Sequence, residues 1–132
     1  MAQAIVDSYD IDRSKLPQAA QEMLNEYFPK AKIAMIKIDR GFLKKTDYDV
    51  KLTNGTKIEF NSNGKWKSVD CKMRAVPNGL VMKPIRNYVE KNFPDVKITK
   101  IEKTSRGYEI ELSDDVEVKF DHLGTFKGID ID

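Results

Sequence analysis

Side chains that commonly carry out catalysis are scarce in this sequence, which contains one histidine and one cysteine. His122 lies in the turn-like stretch DHLG, whereas a general base normally sits in a pocket beside an orienting partner. Without a second histidine or a cysteine partner, zinc sites and Cys–His or Ser–His arrangements lose their basis. The chain also has no glycine-rich phosphate loop. The sequence therefore predicts a protein that is not an enzyme and has no cofactor, with His122 as a solvated turn residue.

Acidic residues gather near both ends of the chain. The stretch DSYDID brings together Asp7, Asp10 and Asp12, and the C-terminal GIDID adds Asp130 and Asp132. Calcium prefers several carboxylate oxygens, but the glycine and the final glutamate of an EF-hand loop are missing here. We interpret these residues as solvated ends and predict no metal site, with weak calcium binding at Asp7, Asp10 and Asp12 as the alternative.

Composition limits the class of protein. The chain has 132 residues, 40% of them apolar and 33% charged, with a net charge of +2. This length and balance fit one domain, or two small units that share a core. Basic residues are interleaved with acidic ones, which argues against nucleic-acid binding. No segment is long and apolar enough to predict a membrane span. The single cysteine, Cys71, cannot form an intramolecular disulfide, and we expect it to be a buried and inert thiol.

Two segments of the chain follow the same pattern. In SKLPQAAQEMLNEYFP the apolar residues recur at helical spacing, and MKPIRNYVEKNFP repeats that stripe. Both segments carry a proline near the start and end in Phe-Pro, with Phe28-Pro29 in the first matched by Phe93-Pro94 in the second. Each segment therefore predicts one amphipathic helix, the second a copy of the first.

Strands follow each predicted helix. YDVKLT and YEIELS alternate apolar and polar residues, as strands with one buried face do. Asn54-Gly55 is a strong two-residue hairpin signal, and the second copy has Asp114-Asp115 at that turn. Fewer residues separate corresponding positions of the two hairpins than separate the two Phe-Pro pairs. The difference arises because the loop DRGFLKKTD of the first copy is longer than the loop TSRG of the second.

This order predicts an α+β fold, with two tandem αβββ(β) repeats forming one curved antiparallel sheet and both helices packed on one face. We expect an N-terminal lead over residues 1–13, a first repeat over 14–71, a linker over 72–81 and a second repeat over 82–132. The lead shows no clear period and is expected to be frayed.

The sheet face away from the helices is the candidate binding surface. Its predicted residues are charged, and opposite charges across neighbouring strands would stabilise each hairpin, which is the simplest explanation for them. They are Asp49, Lys51, Lys57, Glu59, Glu109, Glu111, Glu117 and Lys119.

Trp66 and Phe126 do not fit strict alternation, because each lies three residues before an apolar residue of the same strand. Either a β-bulge keeps the ring on the core side, or the ring faces outward beside the charged residues. An outward aromatic ring would be suited to anchoring a protein partner. Both alternatives stay open from the sequence.

The doubled motifs resemble the PepSY-like family of periplasmic proteins from gut-dwelling Bacteroidetes. The first copy has the family's Y-x-V-x-L strand at Tyr48–Leu52, its N/D-G turn at Asn54-Gly55, its F-x-x-x-G turn at Phe60–Gly64, and the following Trp66. The resemblance covers residues 16–131. The second copy departs from it by lacking the turn glycine at Asp115 and by carrying Phe126 in place of tryptophan.

This resemblance implies an arrangement similar to β-lactamase inhibitory protein, with a concave sheet, and a location in the periplasm or at the cell surface. The start MAQAIVDS then fits a Met placed on a mature N-terminus, although a cytosolic start fits the residues equally. PepSY units also occur in the propeptides of secreted peptidases, where inhibitory roles are suspected.

We therefore expect a non-enzymatic, monomeric binding module whose polar face holds a protein or peptide, such as a peptidase. A small-ligand or calcium-responsive envelope protein is the alternative, and a purely structural envelope domain is a third possibility.

Overall fold

The computed structural model describes residues 7–41 and 45–131. The predicted lead up to Val6, part of the long loop at Phe42–Lys44, and Asp132 of the acidic C-terminus lie outside these residues. The helices are α1 (Gln18–Tyr27) and α2 (Lys83–Asn92), with short 3-10 turns at Arg13–Lys15 and Asn78–Leu80. The strands are β1 (Ser8–Asp10), β2 (Ile33–Arg40), β3 (Thr46–Leu52), β4 (Lys57–Phe60), β5 (Trp66–Asp70), β6 (Ile98–Thr104), β7 (Gly107–Leu112), β8 (Val116–Asp121) and β9 (Phe126–Ile131).

The sheet order follows the chain order, from β1 to β9. Each strand pair whose register is defined is antiparallel. The chain divides into two compact units, Met1–Lys67 and Ser68–Asp132. Each unit has one α-helix followed by antiparallel strands, with β5 crossing the boundary between the units, so the predicted α+β class with tandem repeats is confirmed. The predicted repeat bounds 14–71 and 82–132 stay a prediction.

Each helix forms where its apolar stripe predicted it. In α1, Ala20 and Leu24 are fully buried, and the chain leaves the helix at Phe28, whose N–H donates to the Leu24 carbonyl. In α2, Ile85 and Val89 form the equivalent buried stripe. The Phe-Pro pair then ends each helix, because proline cannot continue the hydrogen-bond ladder.

The hairpins alternate as predicted. In β3–β4 the buried side chains are Val50, Leu52, Ile58 and Phe60. In β7–β8 they are Ile110, Leu112, Val118 and Phe120. Both β2 and β6 have a register shift at their second residue, between Ile33 and Met35 and between Ile98 and Lys100. The repeat therefore extends to a shared irregularity of the sheet.

Glycines in the second hairpin turn of each unit contact the start of the helix. A Cβ on Gly64 would lie 2.8 Å from the Pro17 Cβ and 2.9 Å from the Ala20 backbone nitrogen. A Cβ on Gly124 would lie 3.0 Å from the Pro84 Cβ. Both glycines have a left-handed backbone, with φ of +81° and +82°. The F-x-x-x-G motif thus fixes the distance between each hairpin and its helix.

One region differs from the sequence-based expectation. Ser8–Asp10 of the lead forms β1, which pairs with β2 at Ile36–Ile38. A strand of three residues is too short to show a period, so the sequence did not reveal it. Within the predicted linker over 72–81, Val76 and Leu80 are buried and the Val76 N–H donates to the Ile98 carbonyl. Cys71 is buried as predicted, with 3% of its surface exposed.

Candidate functional site

The outward side of the first unit is called here the first polar face, defined by Met35, Lys37, Asp49, Lys51, Lys57 and Glu59. Strand register arranges these residues in two rows across β2, β3 and β4. One row is Met35, Lys51 and Lys57, and the other is Lys37, Asp49 and Glu59. A shallow depression of about 310 Å³ lies over both rows. The Met35 side chain is 41% exposed, so the first polar face offers an apolar surface beside two lysines.

The corresponding side of the second unit is called the second polar face, defined by Lys100, Glu102, Glu109, Glu111, Glu117 and Lys119. Its rows run across β6, β7 and β8. One row is Lys100, Glu111 and Glu117, and the other is Glu102, Glu109 and Lys119. The depression over this face is much smaller, about 40 Å³. With four glutamates and two lysines, this face is predominantly acidic.

Like charges lie directly opposite each other within the hairpins. Lys51 faces Lys57 and Asp49 faces Glu59 in the first unit, while Glu111 faces Glu117 in the second. Among these four hairpin pairs, Glu109 and Lys119 alone form the opposite-charge pair that we expected. Our expectation that opposite charges stabilise the hairpins is therefore wrong for three of the four pairs. Directly opposed like charges destabilise a sheet instead.

Complementary pairs do occur between β2 and β3 and between β6 and β7. Lys37 lies opposite Asp49, and Lys100 lies opposite Glu111. These contacts offset part of the repulsion within the hairpins without removing it.

Burial raises the pKa of the Asp49 carboxyl above its ordinary value, and the nearby Glu59 carboxylate raises it further. Burial likewise raises the pKa of Glu117, followed by the negative charge of Glu109. Each polar face therefore holds one carboxyl group whose ionised form is disfavoured by its surroundings.

Two lysines of these faces form ion pairs. The Lys37 Nζ lies 3.4 Å from Asp7 Oδ2, and the Lys119 Nζ lies 3.0 Å from Asp130 Oδ2. The acidic partner raises the pKa of each lysine through a side-chain hydrogen bond. Within the part of the chain that the structure describes, Lys51, Lys57 and Glu111 form no ion pair. These three side chains are exposed.

Phe126 lies on the helix side of its strand. Its ring stacks on Tyr88 of α2, with centroids 4.7 Å apart and planes inclined by 10°. A register shift in the β8–β9 pairing places Phe126 opposite Phe120, with Gly128 opposite Lys119. The bulge alternative therefore holds for Phe126, and this ring is not part of the second polar face.

Trp66 begins β5 and is half-buried. Its neighbour Lys67 is exposed and places its Nζ 3.3 Å from Asp47 Oδ2. A role for Trp66 as an anchor stays a prediction.

The acidic residues near the N-terminus have local structural roles. Asp7 pairs with Lys37, Asp10 Oδ1 accepts the N–H groups of Ile11 and Asp12, and Asp12 Oδ1 accepts the Ser14 N–H. The Ser14 hydrogen bond lowers the pKa of Asp12. Across residues 7–41 and 45–131, no group of three His, Cys, Asp or Glu side chains is placed to bind a metal ion.

A third depression, of about 560 Å³, lies at the end of the β6–β7 and β8–β9 hairpins. It is lined by Arg106, Tyr108, Asp121 and Lys127 among others. His122 lies beside this region, exposed in its turn, with Nε2 3.0 Å from the Ser105 carbonyl oxygen. This depression was not predictable from the sequence, because its residues come from three separate segments of the chain.

Four residues of the polar faces were also missed from the sequence: Met35, Lys37, Lys100 and Glu102. The signal was present in KIAMIKID and VKITKIEK, where these residues alternate with the buried Ile36, Ile38 and Ile101.

The structure therefore defines a class of protein, namely a tandem α+β repeat that exposes one polar strand face in each unit. The chain belongs to the family described as "Putative beta-lactamase-inhibitor-like, PepSY-like", which matches residues 4–45 and 46–128. This confirms the family that the doubled motifs indicated.

Solved structures of similar proteins come from Bacteroides. One is a putative periplasmic protein of unknown function from Bacteroides vulgatus, at 40% identity and a TM-score of 0.90, covering 95% of this chain and 99% of that one. Another is a putative calcium-regulated periplasmic protein from Bacteroides thetaiotaomicron, at 39% identity and a TM-score of 0.88, covering 94% and 96%. A third, from the DUF2874 family of Bacteroides vulgatus, has 41% identity and a TM-score of 0.87, covering 97% and 99%.

No curated protein matches the chain. The family and these relatives confirm the expected extracytoplasmic location. None of the helices in the described residues is long and apolar enough to cross a membrane.

Proposed function

We propose that the protein is a non-enzymatic periplasmic binding module that holds a protein or peptide partner on its polar faces. The observation that carries this proposal is the placement of like charges opposite each other at Lys51–Lys57, Asp49–Glu59 and Glu111–Glu117. Such pairs reduce the stability of the free protein. A partner that brings the opposite charges removes the repulsion, so binding relieves a cost that folding alone leaves in place.

The family description supports an inhibitory role, because it compares these proteins with a β-lactamase inhibitor. The polar faces fit such a role, since they offer exposed charged side chains on rigid strands rather than on loops. The partner classes to test first are therefore secreted peptidases and β-lactamases.

The experiment has two stages. The immobilised protein is incubated with periplasmic extract of a Bacteroides strain, and captured proteins are identified by mass spectrometry. The purified candidate is then titrated with the protein in an activity assay and by calorimetry. We expect the double variant Lys51→Ala/Glu111→Ala to weaken binding at least about tenfold, which corresponds to about 1.4 kcal/mol.

A matched double variant, Lys30→Ala/Glu90→Ala, removes the same charges from exposed positions outside the two faces. It is expected to bind like the original protein. Equal binding by all three proteins would contradict the proposal. Trp66→Ala tests the predicted anchor separately. Loss of binding with an unchanged melting temperature supports a role for Trp66 as an anchor. A large loss of stability assigns Trp66 to the core instead.

Calcium responsiveness is a second candidate, favoured by the description of one relative as calcium-regulated. If this chain responds in the same way through its N-terminal carboxylates, calcium raises its melting temperature and magnesium does not. The variants Asp10→Asn and Asp12→Asn are then expected to abolish the shift. An unchanged melting temperature in millimolar calcium contradicts this candidate.

A further inference from the structure

The two polar faces carry opposite charges at equivalent positions. The two units can be aligned by matching β2 with β6 and the β3–β4 hairpin with the β7–β8 hairpin. In this alignment, four of the five charged residues of the first polar face correspond to a residue of opposite charge on the second polar face. The reversed pairs are Lys37 and Glu102, Lys51 and Glu111, Lys57 and Glu117, and Glu59 and Lys119. Asp49 and Glu109 keep the same sign.

The reversal is complete in the row that contains Lys51 and Lys57 in the first unit and Glu111 and Glu117 in the second. Lys51 and Lys57 lie opposite each other on neighbouring strands, and Glu111 and Glu117 occupy the equivalent places. Directly opposed residues of antiparallel strands have Cβ atoms about 4.5–5.5 Å apart. The Cβ atoms of the two lysines and those of the two glutamates are therefore expected at the same spacing.

We infer that a second copy of this chain is a partner of the polar faces, with the first polar face of one copy against the second polar face of the other. This inference rests on the proposed function, because it names an occupant for the same surface. In this contact Lys51 and Lys57 of one copy meet Glu111 and Glu117 of the other, and these two like-charged pairs are neutralised. It differs from the monomeric state that the sequence favoured.

Charge complementarity distinguishes this occupant from the others. A basic peptide matches only the second polar face, and an acidic peptide matches only the pair of lysines on the first. A second copy carries a complementary charge pattern for each of the two faces. Such a contact between exposed charges is sensitive to salt, since the Debye length falls from about 10 Å at 0.1 M to about 3 Å at 1 M.

The first test is sedimentation of the purified protein over a range of concentrations. We expect a monomer–dimer equilibrium in low salt, whose dissociation constant rises at least about tenfold when sodium chloride is increased from roughly 50 mM to roughly 500 mM. A protein that sediments as a monomer at every concentration in low salt overturns the inference.

The second test reverses one face at a time. In the variant Lys51→Glu/Lys57→Glu, this row is acidic on both polar faces. In the variant Glu111→Lys/Glu117→Lys, the same row is basic on both polar faces. Each variant alone is expected to remain monomeric. An equimolar mixture of the two is expected to form a heterodimer, because the acidic first face of one variant now matches the basic second face of the other.

Lys30→Glu/Lys65→Glu serves as the control, since it changes the net charge by the same amount at exposed positions outside both faces. It is expected to dimerise like the original protein. Dimerisation of either single-face variant, or the absence of a heterodimer from folded variants, overturns the inference. If the original protein is monomeric while the face variants still lose an identified partner, this inference fails and the proposed function stands.

Discussion

The Phe126 ring of β9 stacks on the Tyr88 ring of α2, with centroids 4.7 Å apart. Tyr88 also meets the edge of Phe120 at 5.5 Å, so three rings join the helix to the last hairpin. We expect Phe126→Ala to reduce the free energy of unfolding by about 2–3 kcal/mol, because it removes a half-buried ring and its stacking. Urea denaturation followed by circular dichroism measures this change. The exposed neighbour Leu123 provides the control, and Leu123→Ala is expected to stay within about 0.5 kcal/mol.

The turn glycine Gly64 is expected to resist substitution. A Cβ at this position meets the Ala20 backbone nitrogen at 2.9 Å, and the φ of +81° is unfavourable for other residues. Gly64→Ala should therefore cost about 2–4 kcal/mol of stability, since both helix and turn must move. Gly128 has open space around it and an ordinary φ, so Gly128→Ala is the matched comparison. Equal melting temperatures for the two variants would show that the Gly64 contact is unimportant.

Asp115 offers a way to stabilise the protein. It occupies the turn position of Gly55 but adopts a φ of +67°, which costs a residue with a side chain about 1 kcal/mol. Asp115→Gly is expected to raise the free energy of unfolding by about 0.5–1 kcal/mol. The reciprocal change Gly55→Asp, with a starting φ of +91°, should lower it. A thermal melt of both variants checks the prediction, which fails if the two shifts have the same sign.

The raised pKa of Glu117 predicts a pH-dependent contribution to stability. Because the folded-state value lies above the unfolded one, this contribution is present at low pH and is lost as the pH rises through the folded-state pKa. At pH 7, Glu117→Gln is therefore expected to be more stable than the original protein by about 0.2–0.8 kcal/mol after solvent screening. The difference should shrink toward zero as the pH falls below the ordinary glutamate value of 4.5.

Asp121→Asn gives the opposite sign and serves as the comparison for Glu117. Backbone N–H groups of Thr125 and Leu123 lower the pKa of Asp121, so its ionised form stabilises the fold at neutral pH. This variant is expected to be less stable at pH 7 and to approach the original protein in acid. Parallel pH profiles for Glu117→Gln and Asp121→Asn would contradict both assignments.

Much of the fold was predictable, because buried positions follow helical or strand periods and the second unit repeats the first. The Phe-Pro pairs indicated the helix ends, and Asn54-Gly55 indicated the first hairpin turn. Ser8–Asp10 was not predictable, since a strand of three residues is held by its neighbour rather than by its own pattern.

The candidate site was predictable in part. Alternation identified eight charged residues of the strands. Which of these residues lie opposite each other depends on the strand register, which alternation does not determine. Our expectation of opposite charges was therefore wrong for Lys51–Lys57, Asp49–Glu59 and Glu111–Glu117. The orientation of Phe126 depended on a bulge, which inserts one residue and returns the ring to the core side. The spacing between Phe126 and Ile129 indicated a bulge as one of two alternatives, and the strand register decides between them.

Within each unit, strands that neighbour each other in the sheet are also consecutive along the chain, joined in the hairpins by short turns. Contacts between residues close in sequence form faster than distant ones, because little loop-closure entropy is lost. When such a chain leaves a translocation channel with its N-terminus first, each new strand of a hairpin emerges after the strand with which it pairs. This connectivity suits a protein that must fold after crossing a membrane.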